Sequence, residues 1–192
     1  MHGFERHRRS GRVITTMTGW EADLLRSLHR QVIELIGHDP AAPERDPLEA
    51  LLDFDGPTEE PDDPALARLL PSAHRSDPEA AAEFRRYTEP ALRDSKARAA
   101  ADVIETLEAA GLPPLLTDDD LVIDVELDPA QAQVWLRALN DVRLALGTRL
   151  GIEQDDDDLW DALPDDDPRL PAYDVYQWLS VLQGSLVDAV MS

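Results

Sequence analysis

The chain has no cysteine among its 192 residues. That excludes disulfides, thiolate metal ligands and thiol-based sensing within the polypeptide. Methionine is a poor substitute as an oxidant target, since Met1, Met17 and Met191 are few and mostly terminal. Aromatics make up 5% of residues; alanine and the aliphatics carry the apolar content, which suits helices better than a β-sandwich. Positive charge is scarce too: 18 Lys and Arg stand against 40 Asp and Glu, a net charge of −22. Duplex DNA repels such a surface, so direct DNA binding is disfavoured and protein partners are favoured. No apolar run approaches the roughly 18 residues of a membrane span. Arg6, Arg8, Arg9 and Arg12 have no apolar stretch behind them, so the opening does not read as a signal peptide. The expected setting is cytoplasmic, with no membrane partner.

Catalytic signatures are missing as well. There is no Gly-x-Ser-x-Gly elbow, no His-Glu-x-x-His and no Walker-type phosphate loop. The five histidines are scattered, and His29, flanking an apolar stripe, reads as a structural residue. Aspartate runs at 155–158 and 165–167 point their side chains apart, and the stretch around Asp53 lacks the spacing of a calcium loop. The expectation is a non-enzymatic protein with no catalytic residues, no metal and no cofactor.

What is present reads as a mainly α chain, a single domain over 1–192. Four or five main helices are expected to form a bundle beside a small N-terminal antiparallel sheet. Residues 4–17 read as a hairpin with Ser10-Gly11 at its turn. Thr18 and Glu21 form a capping box for a helix striped by Leu25, Leu28, Val32, Leu35 and Ile36 and stopped by Gly37. Residues 38–63 and 153–169 are expected to be acidic, mobile loops, with short helices at 47–54 and 64–70. Asp77-Pro78 opens the next helix, Pro90 is expected to break it near Thr88, and Gly111 ends it. Residues 121–127, LVIDVEL, fit either a third strand or an extended lead-in. Asp128-Pro129 starts a helix to Leu150, and a last one spans 171–190. That last helix packs either at home or across a homodimer seam.

The helix from Pro129 is apolar almost all round, which places it at the centre of the bundle. Its last part, LNDVRLALGTRLG at 139–151, carries Asn140, Asp141, Arg143 and Arg149, expected to form a structural polar network. Arg137 and Asp141 stand four residues apart and are expected to pair. Arg149, inside the apolar arc, is expected to be buried against a carboxylate, so that its loss would cost about 3 kcal/mol.

That segment resembles the signature of the actinobacterial AosR-type family of oxidative-stress transcriptional regulators, formerly domain of unknown function 2017. FERHRRSGRVITTMT at 4–18 and FRRYTEPALRDSKARAAADVIETL at 84–107 resemble the same family. The resemblance covers most of the chain and fails mainly in the acidic loops. It implies regulation of stress-response transcription, with the charge favouring contact with a sigma factor or RNA polymerase over an operator. Some relatives are described as sensing through cysteine pairs, a route this chain lacks. The alternative functions are an adaptor linked to Clp-type proteolysis, whose genes often neighbour those of relatives, and a small-molecule sensor.

Candidate partner-binding residues are Arg86, Arg93 and Lys96, brought together at helical spacing in the family block. The opposing reading is internal neutralisation of this basic cluster, which includes Arg85 and Arg98, by Glu83, Glu89, Asp94 and the acidic loops. In LWDAL at 159–163, Trp160 is either a partner anchor between aspartate runs or a side chain folded back onto the bundle.

Overall fold

The computed structural model describes residues 3–37, 56–74, 76–152, 163–164 and 166–192. Among them lie three strands and five helices: β1 Glu5–Arg6, β2 Val13–Thr18, α1 Gly19–Ile36, α2 Pro64–Leu69, α3 Pro78–Ala109, β3 Val122–Leu127, α4 Pro129–Leu150 and α5 Leu170–Met191. The fold is mainly α with a small antiparallel sheet at its N-terminus. The two acidic loops, the helix expected at 47–54 and Trp160 lie largely or wholly outside the described residues.

The sheet runs β1-β2-β3, both pairings antiparallel. Residues 121–127 therefore do supply a third strand, in full register from Val13↔Leu127 to Thr18↔Val122. Alternation decides which face is buried. Val13, Thr15 and Met17 on β2 and Ile123, Val125 and Leu127 on β3 point inward, while Asp124 and Glu126 stay exposed. The outward acids have partners: Thr16 Oγ1 donates to Asp124 at 2.7 Å and Arg12 Nε lies 3.5 Å from Glu126. Strand passes to helix without a loop, because Thr18 ends β2 and caps α1. Its hydroxyl accepts from the Glu21 N–H at 3.2 Å and Glu21 accepts from the Thr18 N–H at 2.9 Å.

α4 is the central element, touching α1, α2, α3, α5 and β3. Trp135, Leu139, Val142 and Ala138 fill the core from it, with Phe4 edge-on to the Trp135 ring at 5.7 Å. Asp128 caps its start, with Pro129 in the first turn, and Gly151 closes it at φ 71°.

Pro90 does not break its helix. α3 runs unbroken for 32 residues with Pro90 inside. Proline removes the N–H that would serve the carbonyl of Arg86, four residues back. Gly56 packs against that carbonyl so closely that a Cβ on Gly56 would stand 2.1 Å from its oxygen. The Thr88 hydroxyl donates to Phe84 O at 2.8 Å one turn before the proline. The helix therefore continues through a proline that sequence spacing alone reads as a terminus.

Candidate functional site

The first half of α3 holds two of the buried charges among the described residues. Arg85 and Glu89 are 7% and 2% exposed. Arg85 Nη1 donates to Glu89 Oε2 at 2.5 Å and to Leu70 O at 3.2 Å. Arg93 donates from Nε to Glu89 Oε1 at 2.8 Å, and its Nη1 donates to Ile36 O at the end of α1. Two guanidiniums therefore share one carboxylate. Arg85 Nη2 is buried with no hydrogen-bond partner. This cluster fixes α3 against the end of α1 and the end of α2.

Lys96 lies one turn on. Its Nζ donates to Asp141 at 2.6 Å, joining α3 to α4. Burial raises the Asp141 carboxyl above its ordinary range, offset by the hydrogen bond and charge of Lys96 and then by the charge of Arg137. The expected Arg137–Asp141 pairing is thus replaced by a contact between helices, with exposed Arg137 acting at longer range. Arg93 and Lys96 both serve inter-helix contacts. Arg86 is half-buried beside Gly56. Exposed nearby on α3 are Phe84, Tyr87 and Leu92, with the His74 ring edge-on to Phe84 at 5.8 Å.

The residues expected to form one polar network separate onto different neighbours. Asp141 faces α3. Arg143 faces α5, donating from Nε to Ser180 Oγ at 3.0 Å and from Nη1 to Gln183 Oε1 at 2.5 Å, with its guanidinium 5.4 Å from the Tyr176 ring centre. One turn on, Gly147 lets the same ring approach, since a Cβ there would stand 3.1 Å from it. Asn140 is exposed. Arg149 is not buried: its side chain is 55% exposed and donates to Asp63 Oδ2 at 2.6 Å. Asp63 is held below the ordinary carboxylate range, chiefly by the Leu66 N–H and then by Arg149 and the Ala65 N–H. The long side chain of Arg149 leaves the apolar arc to reach solvent and the cap of α2.

Two further buried polar residues lie on α1: Arg26, which the sequence did not single out, and His29, expected there as a structural residue. Arg26, 3% exposed, donates to Pro113 O at 2.6 Å and to Asp23. His29 is fully buried, with Nδ1 2.7 Å from Leu25 O and Nε2 unpartnered. Burial lowers its pKa from 6.5 to about 4, against a smaller upward effect of the Leu25 carbonyl. No three carboxylates or histidines converge among the described residues. Nor is any helix there long and apolar enough to cross a membrane.

Ion pairs between helices thus hold the described part of the fold together. The family model of the Domain of unknown function (DUF2017) matches residues 1–190, and the chain belongs to that family. It is 34% identical over 185 residues to the oxidative stress regulator AosR of Mycobacterium bovis and to that of Mycobacterium tuberculosis, covering 89% of this chain and 78% of each relative. A Mycobacterium leprae relative is 33% identical over 187 residues, covering 90% of this chain and 79% of its own length. No solved structure matches.

Proposed function

We propose that the protein is a cytoplasmic, non-enzymatic regulator of stress-response transcription that acts by touching the transcription machinery, a sigma factor or RNA polymerase. The observation that carries this reading is the likeness over nine tenths of the chain to proteins designated oxidative stress regulators. The net charge of −22 supports protein contact over operator binding. Without cysteine, the signal reaches this chain through something other than its own thiols.

The proposed contact lies on α3, with exposed Phe84 and Tyr87 as apolar anchors and half-buried Arg86 on the same helix. Arg93 and Lys96, first candidates by spacing, contribute by holding that helix in place through Glu89 and Asp141. Trp160, outside the described residues, belongs to the same proposal as a second anchor. The test is affinity capture from the native host at near-physiological salt, with wild type beside Phe84→Ala/Tyr87→Ala. Recovery of RNA polymerase or a sigma factor by wild type, and its loss in the double variant, is the expected result. Recovery of Clp components instead would transfer the protein to the adaptor class. Undiminished capture by the double variant would remove the α3 face.

A further inference from the structure

A cleft of about 620 Å³ opens between α2, the segment joining it to α3, the first turns of α3 and the end of α4. This lies within the roughly 300–1,000 Å³ of small-molecule sites. Its described lining holds Arg68, Arg85 and His74 against a single acid, Glu60. In a chain with more than twice as many acids as bases, that local balance is inverted. Ala81 supplies apolar wall beside Pro78, at the start of α3, where Asp77 already caps the helix.

The charges behind the wall are unbalanced in the same direction. Arg85 and Arg93 share the one carboxylate of Glu89, so among the described residues the cluster keeps a positive charge in excess. Arg85 is 7% exposed, and its Nη2 has no acceptor although Nη1 has two. A buried guanidinium N–H without an acceptor is costly, and a buried excess charge more so. Arg68 is exposed at the mouth. We infer that this cleft is a binding site for a small anionic ligand carrying carboxylate or phosphate oxygens, anchored by Arg85 from within and Arg68 from the rim. Anionic oxygens at the cleft wall match the surplus charge. The inference stands apart from the transcription reading, because it is read in purified protein.

The full chain is titrated calorimetrically with inorganic phosphate and, separately, with malonate, at ionic strength held constant with sodium chloride. Saturable one-to-one binding of either anion, weakened at least tenfold by Arg68→Ala and by Arg85→Lys, is expected. Phosphate binding alone assigns a phosphate-bearing ligand and malonate alone a carboxylate; either result supports the site. Arg68 is exposed, and circular dichroism checks that both variants fold. Absence of saturable binding by both anions overturns the inference. So does full-strength binding by Arg68→Ala and Arg85→Lys, which would put the anion elsewhere, as on the arginines of the β1–β2 turn.

Discussion

Single residues differ sharply in what their charges do here, and burial sorts them. Glu89 is 2% exposed between two arginines, so Glu89→Ala leaves Arg85 with an uncompensated buried charge. The expected loss is about 3–5 kcal/mol in urea denaturation. Arg149 is the opposite case. Its pair with Asp63 is open to solvent, so Arg149→Ala is expected to leave the denaturation midpoint within error of wild type. His29 makes a pH prediction. Its folded pKa of about 4 lies below the ordinary 6.5, so between those values the unfolded chain binds a proton that the folded one refuses. Stability therefore falls as pH falls through that window, by about 3 kcal/mol in all. The raised carboxyl of Asp141 acts in the opposite sense, nearer the carboxylate range. Replacing His29 with Leu should flatten the difference between urea midpoints at about pH 7 and about pH 4.5; parallel behaviour of the two proteins would refute the assignment.

At the scale of elements, α3 depends on a contact from outside itself. Gly56→Ala drives a methyl group into the Arg86 carbonyl and is expected to cost about 1–3 kcal/mol, measured by thermal or urea denaturation. That dependence also shows what the sequence could reveal. Caps and alternation are local: Thr18 with Glu21, Asp128 with Pro129, and the in-out pattern of residues 122–127 located α1, α4 and β3 almost to the residue. Pro90 misled, because whether a proline ends a helix depends on what meets the freed carbonyl, and Gly56 lies thirty residues away. The site was less legible for the same reason. Neutralisation of the basic cluster by Glu89 followed from helical spacing, whereas Lys96 meeting Asp141 required knowing that α3 lies on α4. Arg149 followed its length toward water, which an apolar arc drawn on a wheel does not represent.

For the whole molecule, the decisive quantity is the net charge of −22. Self-repulsion of that size works against the compact state and is screened by salt. The melting temperature is expected to rise as sodium chloride goes from about 0.02 M to about 0.5 M, followed by circular dichroism. A flat profile would mean that the matched pairs on α3 and α4 already absorb most of the field. The pairing of β2 with β3 sets a schedule rather than a stability. Residues 13–18 meet partners more than a hundred positions later in the chain. At the usual pace of synthesis, on the order of 5 to 20 s pass between the two strands leaving the ribosome. Throughout that interval Val13, Thr15 and Met17 wait with an unzipped edge while α1 and α3 can already dock, so the nascent chain is most exposed to chaperones and to misassembly at its own beginning.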